Sequence, residues 1–282
     1  MKEIRKIVKT VEPEEATDGA GVLLKRVLGT HKLSYIDPFL LLDHFGSEDP
    51  DDYIGGFPMH PHRGIETVTY LLRGAVKHRD SEGNEGIIRA GGVQWMTAGS
   101  GIIHEEMPQL EDGELEGFQL WVNLPAASKM MNPRYREFGR DEIPVAIPSE
   151  GVEVRIIAGR FDETAGAVTE LEAAAGFYDV AVESGKQLEF ELGKHDNAFV
   201  YVFKGTCIEV DGNGEILTAP VLGLFNEGKR ISLKAGDAGA RLLLVHGSPL
   251  QESVARYGPF VMNTREEIAE ALNDLSSGTF VK

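Results

Sequence analysis

Short apolar runs rich in Val, Ile, Leu, Phe and Tyr recur along the whole chain, with glycines between them at close intervals. That grain predicts many short antiparallel strands joined by tight turns. The expected strands cover residues 21–27, 67–72, 92–97, 117–124 and 152–158, then 177–182, 198–203, 207–210, 221–225 and 241–246. Two stretches break the pattern. Residues 251–257 read as a short helix stopped by Gly258-Pro259. Thr264-Arg265-Glu266-Glu267 reads as a capping box ahead of Ile268, Leu272 and Leu275, with Gly278 placed to end the helix.

An internal repeat divides the chain. Thr69-Tyr70-Leu71-Leu72-Arg73-Gly74 matches Val200-Tyr201-Val202-Phe203-Lys204-Gly205 in order and spacing, and residues 118–125 have a counterpart in 241–249. The expected fold is all-β: two antiparallel β-barrel domains of jelly-roll type, with few helices and one of them C-terminal. The expected boundaries are 1–132 for the first domain, 133–150 for a linker holding Pro133, Pro144 and Pro148, and 151–282 for the second domain with the helix.

Composition narrows the function. The 282 residues carry a formal charge of -17, which repels phosphate backbones and anionic lipid headgroups. No direct nucleic-acid or membrane partner is therefore expected. One cysteine, Cys207, excludes an intramolecular disulfide and, lying in an apolar run, reads as a buried inert thiol. The start alternates charged and apolar residues and no long apolar run follows, so a cytoplasmic protein is expected, with monomer as the simplest state.

The candidate chemistry lies in residues 55–66 and 104–106. Side chains two apart in a strand share a face, so His60 with His62, and His104 with Glu106, can each aim a pair of ligands at one point. Three imidazoles and a carboxylate suit a transition metal: iron, manganese, cobalt, nickel, copper or zinc. Glu66 has the same parity as His60 and His62, so parity leaves Glu66 and Glu106 both open as the fourth ligand. Glu105, of opposite parity, should point away. A divalent ion with one anionic ligand keeps about one positive charge and favours an anionic substrate oxygen. Phe57, Met59, Trp95, Met96 and Phe118 are candidates to line a slot for a flat ring, or to be core. His31, His44 and His78 lack a paired ligand, with His78 expected in a turn, and the acidic run 48–52 lacks the glycine and closing glutamate of a calcium loop. The second repeat has Glu191 and Gly193 where the first has its histidine pair. His195 and His246 therefore read as surface or core polar residues, and the site as single.

These motifs resemble a known family. Residues 55–74, with His-x-His, Glu66 and a closing glycine, look like the first cupin motif, and residues 92–104 like the second. Residues 37–45, 56–68 and 94–108 are similar in finer detail to the pirins, two-barrel cupins, which makes the chain a bicupin. The resemblance implies that His60, His62, His104 and Glu106 hold one metal ion, usually iron(II), in the first barrel only. It moves the fourth ligand to Glu106 and leaves Glu66 to orient an imidazole. Metal-dependent quercetin 2,3-dioxygenase activity is implied, in which a flavonol and O2 react with loss of CO, and Glu106 or Glu66 is the expected proton acceptor. The alternative it implies is a non-catalytic, iron-binding redox sensor that regulates a protein partner by contact.

Overall fold

In the computed structural model, which describes residues 3–110 and 113–281, the apolar runs pair as antiparallel strands in sheets of nine, seven and four strands plus two small hairpins. The predominantly β expectation holds. At the level of strand pairing, however, the sheets are open and do not close into the expected barrels. The reason is visible at Gly64 and Gly74, where the chain steps between sheets: Phe57–His62 lies in the four-stranded sheet, Ile65–Arg73 in the seven-stranded one, and Ala75–Asp80 back in the first.

The chain divides by contacts into two units, and each is built from two segments. Residues 14–140 join those from Leu250 onward, and residues 141–249 join those up to Pro13. Both termini therefore depart from the linear division drawn at 132 and 151. The stretch expected as a linker also folds: Arg134–Phe138 pairs with Val93–Thr97 in the first unit, and Val145–Ser149 with Val152–Ala158 in the second.

In the unit containing residues 14–140, the seven-stranded sheet runs from Arg134–Phe138 through Val93–Thr97, Ile65–Arg73, Leu115–Asn123, Phe39–Ser47 and Val22–Leu28 to Glu14–Asp18. The four-stranded sheet places Phe57–His62 at an edge beside Ile102–Gln109, followed by Ala75–Asp80 and Glu85–Arg89. Val22, Leu24, Phe45, Leu71 and Leu115 of the larger sheet form one apolar core with Val76 and Ile88 of the smaller. Residues 251–257, expected as a helix, instead lead into the strand Ala255–Tyr257, which pairs with Phe260–Met262. Gly258-Pro259 is the turn of that hairpin, and Gln251 sits at φ 57, outside the helical region. The helix Arg265–Ser277 follows the sequence closely: Thr264 and Glu267 form the capping box, and Gly278 closes the helix in the left-handed conformation. Ile268, Ala271, Phe260, Met262 and Phe280 cluster with Ile103, which binds this C-terminal segment to the four-stranded sheet.

The second unit holds the nine-stranded sheet, with Ile7–Val11 at its edge next to Val221–Phe225, and the small hairpin of Arg160–Phe161 with Thr164–Ala165. The internal repeat is realised in both units as the same pairing: Tyr70 faces Phe118 in the first, and Tyr201 faces Leu243 in the second. Cys207 is buried and burial pushes its thiol up to about 12, an inert group as expected. His195 lies at the surface beside Glu227, and His246 bonds Asp196 and Tyr178. Among the described residues no helix is long and apolar enough to cross a membrane.

Candidate metal centre

An edge strand can tolerate proline, because one of its sides needs no backbone donor. Phe57–His62 is such a strand, carrying Pro58 and Pro61, and it pairs only with Ile102–Gln109. In that register His60 faces His104, while Glu106 faces Phe57 across an irregularity. The bulge thus lies between Phe57 and His60. Gly64, with φ 79, is instead the turn into the next strand, where a β-carbon would collide with the Val261 carbonyl oxygen at 2.0 Å.

One nitrogen from each of His60, His62 and His104 lies within 4.8 Å of the others. The ring centroids are 4.3 to 5.0 Å apart. The outer ring nitrogens are already engaged. His60 Nδ1 bonds the Pro58 carbonyl at 2.9 Å, and His62 Nδ1 bonds the Pro259 carbonyl at 3.3 Å. His104 Nδ1 meets His78 Nδ1 at 3.5 Å, and His78 Nε2 meets Asp80 at 3.1 Å. With Asp80 accepting from His78, the other His78 nitrogen is free to accept, so His104 carries its proton on Nδ1. His104 Nε2 is buried with no hydrogen-bond partner. An orphaned imidazole nitrogen among two more is what a metal ion would satisfy, so the donor set fits such an ion.

Electrostatics agree. Burial, reinforced by the neighbouring imidazoles, pushes His62 down to about 3 and His104 well below its ordinary value. The inner rings are therefore neutral at neutral pH, as ligation requires.

Glu106 is buried, lines the same cavity as His60 and His62, and stands outside the tight imidazole cluster. Its two oxygens accept from the Thr69 hydroxyl and, at 3.3 Å, from the Gln119 amide. Both donors belong to a polar row that crosses the seven-stranded sheet, in which Arg26 faces Asp43, Asp43 faces Gln119, and Gln119 faces Thr69. Glu66 is placed elsewhere. It is fully buried on the larger sheet, accepts from Thr97 at 2.6 Å and pairs with Arg136 at 3.3 Å. Strand parity ranked it with His62, but the turn at Gly64 puts the two residues on different sheets. No contact joins Glu66 to an imidazole in the described structure, so the expected orienting role is not seen. Glu105 points away as expected and pairs with Arg79.

A cavity of about 530 Å³ opens beside the imidazoles, with Leu24, Leu41, Phe45, Phe57 and Trp121 among its walls. Of the aromatic and methionine candidates read from sequence, only Phe57 lines it. Trp95, Met96 and Phe118 are fully buried core, and Met59 is exposed. Trp121 was the missed residue, its indole set edge-on to His62 at 5.1 Å. The signal was parity: Gln119 and Trp121 alternate with Phe118, Leu120 and Val122, which are core. His78 was missed too. It is fully buried in the strand Ala75–Asp80, not in a turn, and alternation with Val76 and Asp80 was the available sign. His31 lies exposed beside Glu14, and His44 sits 3.3 Å from Glu116.

Two family models cover most of the chain: pirin over residues 21–122 and the pirin C-terminal cupin domain over 177–281. A Pseudomonas aeruginosa protein named "Putative quercetin 2,3-dioxygenase" is 44% identical over 99% of both chains. A pirin-like protein of Caulobacter vibrioides is 44% identical over 98% of this chain and 99% of its own. The crystal structure of quercetin 2,3-dioxygenase from Acinetobacter baumannii superposes with a TM-score of 0.90 at 34% identity, covering 98% of each chain.

Proposed function

Because the chain belongs to the pirin family, we propose that it is a metal-dependent dioxygenase acting on flavonols, opening the central ring with O2 and releasing CO. One observation carries this reading. Three imidazoles with their outer nitrogens engaged, one inner nitrogen orphaned, converge beside an apolar-walled cavity large enough for a flat three-ring molecule. The names of the relatives and of the superposed structure support the same substrate class.

His60, His62 and His104 would hold the ion through Nε2, with Glu106 as fourth ligand. Iron(II) is the metal proposed, and the same donors suit manganese, cobalt, nickel, copper or zinc. When bound, the ion would supply Lewis acidity and one-electron chemistry for O2.

The remaining work falls to the chain's own groups. Leu24, Leu41, Phe45, Phe57 and Trp121 would hold the rings and exclude water. Glu106 would take the flavonol hydroxyl proton on a carboxylate oxygen, while Thr69 and Gln119 keep that carboxylate aimed into the cavity.

The test is anaerobic loading with iron(II), followed by quercetin and air. Release of CO with loss of flavonol absorbance is expected. Absence of both with every divalent metal tried would overturn the dioxygenase reading. Stoichiometric metal retention in that case would favour the sensing alternative.

A further inference from the structure

The cavity beside the imidazoles has two guanidinium groups in its walls, and they are in opposite situations. Arg26 is held by two carboxylates. Its Nε and one terminal nitrogen bond both oxygens of Asp43 at 2.9 and 2.8 Å, and the same terminal nitrogen reaches Asp18 at 2.7 Å. Arg256 has no ion pair among the described residues. Its guanidinium lies 4.9 Å from the ring centre of Trp121, and its only hydrogen bonds are long ones of 3.4 Å to the Gly258 and Leu40 carbonyls. Five N–H donors are available on such a group, and Arg256 is an exposed residue in the cavity wall, so most of its donor capacity is open to an incoming oxygen.

We propose that Arg256 anchors an anionic oxygen of the substrate, so that the cavity selects a flat aromatic anion, a ring system bearing a carboxylate or phenolate, over the neutral ring. The proposal rests on the flavonol-type reading of this same cavity and adds to it the charge of the substrate and the residue that reads it.

Trp121 fixes the geometry. Its indole centre lies 5.1 Å from the His62 ring and 4.9 Å from the Arg256 guanidinium, so one indole neighbours both the guanidinium and the imidazole cluster. A molecule lying along Trp121 would place its anionic end at Arg256 and its other end beside the imidazoles and Glu106. Leu24, Leu41, Phe45 and Phe57 supply apolar contact for the rings between them.

The cavity wall holds the carboxylates of Asp18, Asp43 and Glu106 as well, but Arg26 takes up Asp18 and Asp43 by direct hydrogen bonds. Partial desolvation and then the neighbouring Arg26 cation hold the Arg256 guanidinium below its ordinary pKa against the opposing carboxylates of Asp43 and Asp18, and an incoming carboxylate would oppose both lowering influences. Against a chain of net charge -17, a local cation favours entry of an anionic ligand. A guanidinium stacked on an indole meets that need with a planar, bidentate fork that a lysine lacks.

The test uses the full-length, iron(II)-loaded protein under anaerobic conditions, with 3-hydroxyflavone and its ring carboxylate as probes. Dissociation constants are read by equilibrium dialysis, and oxygen consumption is then measured separately. The native protein should bind the carboxylate about tenfold more tightly than the neutral flavonol, the effect of one charge-assisted hydrogen-bonded pair. Arg256→Gln should erase that preference while changing neutral binding less than about twofold, and Arg256→Lys should restore part of it. Equal loss for both probes in Arg256→Gln would assign the residue a merely structural role and overturn the anchor. No preference in the native protein, or no binding of either probe, would overturn it as well. The two readings separate cleanly. Carboxylate binding that depends on Arg256 without oxygen consumption supports the anchor and removes the dioxygenase, whereas oxygen consumption indifferent to Arg256 and to the probe's charge does the reverse.

Discussion

The carbonyl oxygen of Pro259 accepts from Nδ1 of His62 at 3.3 Å, so a residue 197 positions later in the chain fixes the ring of a candidate metal ligand. The same C-terminal segment is tied down on both sides of that contact. Arg63, next to His62, is buried and bonds Asp274 of the helix at 2.8 Å, the Ser100 carbonyl at 2.6 Å and the Phe280 carbonyl at 3.4 Å. Lys129, also buried, donates to Gly64, Asn123 and Val261.

Asp274→Ala should therefore act at a distance. Removing one partner of a buried ion pair leaves the Arg63 charge uncompensated, and a loss of about 3 kcal/mol of stability is expected. Metal retention should fall with it, because the segment that holds His62 loosens. Denaturant unfolding and competition against a chromophoric chelator measure the two effects.

Glu106 and Glu66 can be told apart by substitution. Glu106→Gln, and the milder Thr69→Val that frees its carboxylate, should each weaken metal binding, by roughly 10- to 100-fold for the supporting threonine. Glu66→Gln should leave metal content unchanged and instead lower stability through the lost Arg136 pair. Elemental analysis beside thermal unfolding would decide; equal metal loss in Glu66→Gln would return Glu66 to the centre.

Acid should destabilise the metal-free protein through the inner imidazoles. His62 titrates near 3 when folded and near 6.5 when unfolded, so between those values the unfolded chain binds the extra proton and stability falls as pH falls. The slope from His62 alone is about 1.4 kcal/mol per pH unit, with His104 adding in the same direction. Urea unfolding from pH 7 to 4 should show it, and His62→Gln should flatten the slope by about one proton.

Thr264→Ala removes the hydroxyl that accepts from the Glu267 amide at the start of the helix. The expected cost is about 1 kcal/mol. Because this helix belongs with residues 14–140, the loss should appear in the transition that also releases metal.

The sequence carried the histidine triad, the capping box and the repeat, since each depends on spacing along one strand or one helix turn. It misled where two elements had to be placed against each other. Glu66 kept the parity of His62, yet the turn at Gly64 moved it to another sheet. His78 looked solvated between Lys77 and Arg79; its contact with Asp80 is local to one strand, but its contact with His104 is set by strand pairing that no local pattern reveals. Residues 251–257 had helical composition, and the Asp37 carboxylate that binds the Gln251 amide lies 214 positions away. Pro259 and Arg256 reach the cavity for the same nonlocal reason.

The exchange of terminal segments bears on how the protein is made. A ribosome that has emitted residues 14–140 has produced every candidate metal ligand but not the hairpin and helix that complete their unit, which begin at Leu250. Residues 141–249 must emerge first, and their own sheet takes its edge strand from Ile7–Val11 at the opposite end of the chain. The unit that holds the candidate ligands is thus the last to be finished, and a nascent chain stalled near residue 249 should expose an incomplete centre.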